Sequence, residues 1–435
     1  MKKSILHLNY YYLPTTNARS IRWGNFLKYF STKGLSIDVL TSNPYNHSSE
    51  AATQLSEEEI AGVHISRIPI GFIHRALLKK NNTSSTKKTE SSPKATNPIK
   101  NALALTARWF WHSVLQYLLI PDRYLDWIPI ATFYGVLKFR KRHYDYLISS
   151  GMPFSDHIAA YLLKLFFPKT KWIAEYGDPW SFFIYPPQPR FFTWVHSKLE
   201  RTILKKVDLI VVTTEETRLG FLEHFPHLKS HQVATIPQGA DHELIDNLES
   251  TSQSGFTLTY TGRFDPIRDP LMFFESLKSL NDVHMNYEFK MVGPLQSFYR
   301  KKIDELELGE NATFLGPRKQ LESLKIAKSS DVLVYFGNQS PFQLPSKLWE
   351  YIAMNKPILA ITHVENDIGG KIITEMGRGL VVKADQNEIC EAIIMLKKLW
   401  QENHLNSSFD LRPKPEYDWR KRADDFLLEM NRLLP

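Results

Sequence analysis

Short β-branched or apolar runs alternate with longer segments of helical periodicity twice along the chain, and this double alternation restricts the fold more than any other feature. In the first half the strand runs fall at 4–9, 36–41, 63–68, 146–149, 171–175, 209–213 and 233–236, with helical periodicity over 21–32, 156–166, 194–206 and 214–224. An interval over 237–255, acidic and Ser-rich toward its end, reads as a linker. The pattern then restarts. Strand runs at 256–261, 287–292, 312–315, 332–336, 357–361 and 379–382 are separated by helical segments at 270–280, 295–306, 321–329, 345–354 and 387–401. Such alternation implies parallel sheets with helices on both faces. The expected class is therefore α/β, with two doubly wound Rossmann-like domains in tandem. These bind ligands at the carboxyl ends of their strands, so the cleft between them is the expected site.

Composition enters as an exclusion. Of 435 residues 43% are apolar and 23% charged, which fits neither a disordered chain nor a multi-span membrane protein. The one cysteine, Cys390, rules out an internal disulfide and a cysteine-rich metal site, and no apolar leader follows Met1, so a cytoplasmic protein is expected. Much of the net charge of +8 sits in residues 79–100, where six lysines and one glutamate accompany only Ala95 and Ile99 as apolar residues. That stretch reads as a flexible basic loop. Residues 101–136 are aromatic-rich, but their longest apolar run, 109–121, is too short to span a bilayer. Two readings stay open for this region: peripheral contact with an anionic membrane, or a solvated loop followed by core helices. A nucleic-acid-binding protein is disfavoured, because the charge lies in one low-complexity loop rather than on a helix face.

Several chemistries are absent. The chain has no G-x-x-x-x-G-K-[ST] loop, no G-x-G-x-x-G after its first strand and no D-x-D pair to hold a divalent metal against a diphosphate. His224, His227 and His231 suggest a metal cluster, but Pro226 interrupts any shared helical face and no carboxylate completes a ligand set. The informative residues lie in the second half. Gly262 and Arg263 end a strand, and Arg268 follows five residues later. Glycine admits a ligand to the backbone, and arginine can hold phosphate oxygens in a bidentate fashion. Further on, Pro345 opens a helix whose first turn offers the free N–H groups of Ser346, Lys347 and Leu348 to an anion. Glu350, on a face with Lys347, is suited to a pair of ribose hydroxyls; a local Lys347–Glu350 ion pair is the plainer alternative.

These residues resemble the GT-B glycosyltransferases, and among them family 4. The likeness rests on Thr261-Gly262-Arg263 with Arg268, Phe314-Leu-Gly-Pro317, Ser330-Asp331, and Leu344-Pro-Ser-Lys-Leu-Trp-Glu-Tyr351 with Lys356-Pro357. In the first half, 34–41, 150–157, 175–180 and 236–241 are similar to looser patterns of bacterial polysaccharide-building members. The resemblance implies an acceptor-binding domain over 1–237, a linker over 238–255, a nucleotide-sugar-binding domain over 256–417 and a terminal helix over 418–435 crossing back to the first domain. It implies transfer of a sugar from a nucleotide diphosphate sugar, expected to be a UDP-sugar, to a glycan or lipid-linked acceptor. Retention without a protein nucleophile, and no metal or other cofactor, are further implications. By the same likeness Arg263 and Arg268 would grip the diphosphate, the backbone around Gly316, Pro317 and Arg318 would meet the base, and Glu350 would hold the ribose. Two departures stand out. Phe342 occupies the position, eight before Glu350, where the family often has a first glutamate, and residues 15–19 replace a glycine-rich loop. Should the enzyme invert instead, Asp178 is the candidate base, with Glu175 behind it; capping of the Pro179 turn is the structural alternative for Asp178. A nucleotide-sugar epimerase is the alternative function on the same fold.

Overall fold

The computed structural model describes residues 3–15, 17–43, 60–69, 119–183, 187–251 and 255–434. The lysine-rich run 79–100 and the neighbouring residues 101–118 lie outside them. The first sheet comprises β1 (Ser4–Leu8), β2 (Ser36–Ser42), β3 (Val63–Ile68), β4 (Tyr146–Ser150), β5 (Lys171–Tyr176), β6 (Leu209–Val212) and β7 (Val233–Thr235), in the order β3-β2-β1-β4-β5-β6-β7. The second comprises β8 (Thr257–Thr261), β9 (Glu288–Val292), β10 (Ala312–Phe314), β11 (Val332–Phe336), β12 (Ile358–Thr362) and β13 (Gly379–Lys383), in the order β10-β9-β8-β11-β12-β13. Neighbouring strands are parallel throughout. Strand order reverses between β1 and β4 and between β8 and β11, which creates a crevice at each reversal.

Helices α1 (Ala18–Thr32), α2 (Trp127–Lys141), α3 (Ser155–Phe166), α4 (Arg190–Leu204) and α5 (Glu215–His224) cover the first sheet. The short α6 (His242–Asp246) follows, then α7 (Leu271–Asp282), α8 (Ser297–Leu306), α9 (Gln320–Lys328), α10 (Lys347–Ala353), α11 (Ile368–Glu375) and α12 (Gln386–Gln401), and finally α13 (Trp419–Asn431). Each sheet is buried on both faces, as crossover helices require. On β1, Leu6 and Leu8 share a cluster with Trp127, Ala160 and Leu163, whereas Ile5 shares the opposite one with Trp23, Phe26 and Phe30.

The structure corrects three local expectations. The interval 238–255 is not featureless: Asp241 caps α6 by accepting the Leu244 N–H at 2.9 Å, and Ile245 and Leu248 join the cluster of Leu348, Trp349 and Ile352. That packing fastens residues 244–248 to the second domain. The helix expected over 194–206 starts earlier, at Arg190. The helix expected over 345–354 is only seven residues long, Lys347–Ala353. Its Leu348 N–H is not free, since it donates to the Pro345 carbonyl at 3.2 Å.

Two features tie distant segments of the chain together. After the second domain the chain returns: the Ala240 N–H donates to Tyr417 O at 2.9 Å, and the Trp419 N–H to Ala240 O at 3.1 Å. Asp418 then caps α13 by accepting the Arg420 N–H. Trp419, Ala423, Phe426 and Met430 of α13 enter the same core as Ile5, Trp23 and Phe26, with Phe426 5.2 Å from Phe26 and 5.6 Å from Trp23 between ring centroids. Second, Arg22 of α1 is wholly buried against Glu175 at the end of β5, Nε to Oε1 at 3.2 Å. Its other nitrogens donate to Ile236 O at 2.7 Å and Pro237 O at 2.9 Å, so one guanidinium ties a helix and a strand to the chain leaving the first domain.

Candidate functional site

The floor of the second-domain site is made where β8, β9 and β10 end. Gly262 has φ +154° and Gly293 φ +147°. A Cβ on Gly293 would stand 1.8 Å from Gly262 O, so the two loops can be this close only with glycine at 293. The Gly262 N–H donates to Val292 O and the Gly293 N–H to Gly316 O, which stacks the three loop starts side by side. At Gly316, φ is +69° and nothing lies within 4 Å of where a Cβ would be, so its backbone is open on that side. Pro317 follows it, and Arg318 beyond is exposed and paired with Glu322 at 3.4 Å.

The two arginines differ. Arg263 is 65% exposed, and its only described ion pair is with Asp265 at 3.4 Å. Arg268 is partly buried and turned into the β8/β11 crevice. Its Nε and Nη2 donate to Asn338 Oδ1 at 3.1 and 2.8 Å, while Nη1 is 3.5 Å from both Tyr260 Oη and Arg263 O. All of these acceptors are neutral. Among the described residues no carboxylate makes an ion pair with Arg268, which makes it the stronger attractor for an added anion.

Helix α10 is docked on this floor by Tyr351, whose buried Oη accepts the Thr261 N–H at 2.8 Å. The Lys347 Nζ donates to Glu350 Oε2 at 2.7 Å, so the plain ion pair does form. Both side chains nevertheless line a cavity of about 610 Å³ with Ser346, Ala18, Ile21, Asn25 and Lys28 of α1, Gln238 to Asp241, and Gln320. The cavity therefore brings Ser346, Lys347 and Glu350 together with the first domain, and its lining does not include the two arginines. The share contributed by α1 was not anticipated from the sequence, since nothing in a helix's own periodicity says which distant domain it faces.

On the opposite wall Asp178 follows β5. It lies 3.8 Å from Arg19, is hydrogen-bonded by Gln343 of the second domain, and burial raises its carboxyl above the usual carboxylate range. Glu175 cannot stand behind it as a reserve base: it is fully buried, paired with Arg22, and accepts from the Ser150 hydroxyl at 2.6 Å. Phe342 bridges the two domains. Its ring lies 5.5 Å from Phe182 and 5.8 Å from Phe183, and its carbonyl accepts from the Thr217 hydroxyl at 3.1 Å. Phe342, the departure from the family pattern seen in the sequence, is thus an apolar contact across the cleft. His224, singled out with His227 and His231, stacks on Phe182 at 4.7 Å and bonds Gly220 O. Among the described residues no group of three His, Cys, Asp or Glu side chains is placed to hold a metal, and no helix is long and apolar enough to cross a membrane.

Two doubly wound parallel sheets facing a cleft, with a terminal helix returning to the first, constitute the GT-B fold. Residues 245–406 match the family model for glycosyl transferases group 1, a region that spans the second sheet. A glycosyltransferase from Rickettsia africae superposes with a TM-score of 0.64 at 13% identity, covering 100% of this chain and 99% of that one. Sucrose-phosphate synthase from Thermosynechococcus elongatus gives 0.68 at 13%, covering 99% of each. Anabaena Alr3699/HepE, solved with UDP and glucose, gives 0.64 at 12%, covering 99% and 100%. At such identities the likeness speaks for the fold, and the family match supports a glycosyltransferase. No curated protein sequence matches the chain.

Proposed function

We propose that this chain transfers a sugar from a nucleotide diphosphate sugar, a UDP-sugar first, to a glycan or lipid-linked acceptor, as family 4 enzymes of polysaccharide assembly do. The observation that carries the reading is Arg268: a partly buried cation, held among the described residues by neutral oxygens, at the strand-order reversal of the domain that matches glycosyl transferases group 1. A nucleoside diphosphate fills that vacancy of charge, and Anabaena Alr3699/HepE, with the same fold, is solved with UDP. In this reading Arg268 and the more exposed Arg263 stabilise charge developing on the leaving diphosphate, without a metal. Gly262 and the backbone at Gly316, Pro317 and Arg318 accept the nucleotide. Ser346, Lys347 and Glu350 line the ribose side, with Lys347 releasing Glu350 to the hydroxyls. The anomeric configuration is retained without a protein nucleophile; Asp178 supplies the base if it is inverted, and NMR of the product's anomeric proton separates the two routes.

The acceptor's lipid end fits a membrane-facing first domain on the cytoplasmic side. Helix α2 turns Phe133, 60% exposed, with Tyr134 and Leu137 to solvent, and ends in Arg140 and Lys141. Aromatic residues beside cations suit an anionic bilayer surface.

The deciding test is calorimetry with UDP and inorganic pyrophosphate. Arg268→Ala should weaken both roughly 10-fold to 100-fold, from the loss of charge-assisted bonds. Arg263→Ala should weaken both by less, and Glu350→Ala should weaken UDP while leaving pyrophosphate nearly unchanged. Parent-like binding of UDP by all three variants refutes this donor site. Consumption of a UDP-sugar with no acceptor present would favour the epimerase instead.

A further inference from the structure

Arg268 is partly buried, and the side chain that holds its guanidinium is an amide rather than a carboxylate. Asn338 stands two residues beyond β11 and is 6% exposed. Its Oδ1 receives two N–H groups of one guanidinium, at 2.8 and 3.1 Å, which fixes the plane of that group. The loop carrying Asn338 has its own anchor, because the Gln339 N–H donates to Ile267 O at 2.8 Å. Asn338 is therefore not needed merely to hold the two loops together.

The acids around Arg268 are each engaged elsewhere. Asp265 pairs with Arg263 at 3.4 Å and acts on Arg268 only through space. Asp269 accepts the Leu271 N–H at 3.1 Å. Asp367 caps α11, its Oδ1 accepting the Gly370 N–H at 2.7 Å, and acts on Arg268 only through space. Aspartate is nearly isosteric with asparagine. At 338 it would meet two N–H groups of Arg268 at their present distances and make a charged pair already closed before any ligand arrived.

We propose that Asn338 is a positioning residue that aims Arg268 at the donor's diphosphate without closing it into an ion pair. The inference rests on the donor-site reading given above. A neutral acceptor supplies orientation without neutralisation, and this separates two properties that a carboxylate would join. Uridine, lacking phosphates, should not sense the difference.

The test compares Asn338→Asp, Asn338→Ala, Arg268→Ala and the double variant Arg268→Ala/Asn338→Asp, with UDP, inorganic pyrophosphate and uridine as calorimetric probes and thermal melting as the control. Asn338→Asp should weaken UDP and pyrophosphate alike by roughly 10-fold to 100-fold, the scale of a lost charge-assisted bond, with melting at or above the parent's. Asn338→Ala should weaken them only about 2-fold to 10-fold, because the charge remains. In the Arg268→Ala background the aspartate should add little further loss, a coupling that a purely structural role for Asn338 does not produce. Equal losses in the aspartate and alanine variants, or an undiminished aspartate effect without Arg268, overturn the inference while leaving the donor site standing. Failure of the parent to bind either UDP or pyrophosphate overturns both. If Asn338→Asp melts well below the parent, the Arg268→Ala background decides alone, since a folding defect would persist there.

Discussion

Replacing Glu175 with alanine should cost the first domain about 3–5 kcal/mol, the range for breaking a buried pair by removing one partner. The structure shows why the upper part of that range is reachable. Arg22 is fully buried, and although burial pulls its guanidinium down to about 10, it stays charged at neutral pH. Without Glu175 it keeps the Ile236 and Pro237 carbonyls, which orient the charge but do not cancel it. The two other donors to Glu175, Trp23 Nε1 and the Ser150 hydroxyl, lose less, since they remain bonded to each other at 2.7 Å. Glu175→Gln keeps the volume and an acceptor, so it should cost about 1.5–3 kcal/mol. The pair Arg22→Met with Glu175→Leu removes both charges together and should cost less than the sum of the single changes, leaving mainly the two linker carbonyls unpaired. Urea unfolding followed by tryptophan fluorescence measures each of these variants, since Trp23 and Trp172 lie in the affected core. Single variants within about 1 kcal/mol of the parent, or an additive double variant, would refute the reasoning.

Three further outcomes are expected. His7 is buried against Trp23, ring centroids 4.1 Å apart, and burial lowers its pKa to about 3. The unfolded chain therefore takes up a proton as pH falls through about 6.5 and the folded chain does not, so His7→Phe should gain roughly 2 kcal/mol in stability relative to the parent between about pH 7.5 and pH 5; an unchanged difference in urea midpoints would contradict this. Phe342→Glu should disrupt the aromatic bridge to Phe182 and Phe183, and small-angle scattering should show a larger radius of gyration; an unaltered profile means the bridge does not hold the domains. Liposome sedimentation with anionic vesicles should fall when Phe133 and Leu137 become serine, and unchanged binding counts against membrane contact through α2.

The strands were readable because each is a short run of β-branched or apolar residues between turn-forming ones, and every expected strand lies within a residue or two of an observed one. Apart from α2, which begins inside the aromatic-rich stretch 101–136 where two readings stay open, what escapes the sequence is short or distant. Helix α6 is five residues long, and α11 contains Gly369 and Gly370, whose low helix propensity masks an Asp367 cap. The site shows the same division. Gly262, Arg263, Arg268 and Glu350 could be singled out because residue type and local spacing suggest anion and ribose contacts. Asn338, Gln343 and the α1 lining could not, since their meaning depends on packing between elements far apart in sequence. The pairing of Arg22 with Glu175 across 153 positions is of that kind. So is the use of Phe342, which read only as a missing carboxylate until its aromatic partners in the other domain were seen.

The return of α13 bears on the order of synthesis. The first sheet is complete once β7 has been made, yet one face of it, over Ile5, Trp23 and Phe26, awaits Trp419, Phe426 and Met430 from the last residues of the chain. On the ribosome, the domain that emerges first is the last to be finished, after the second domain has had its whole length in which to fold. During that interval the nascent protein exposes an apolar surface that α13 later closes. A stop codon just before Trp419 would leave that surface open for good.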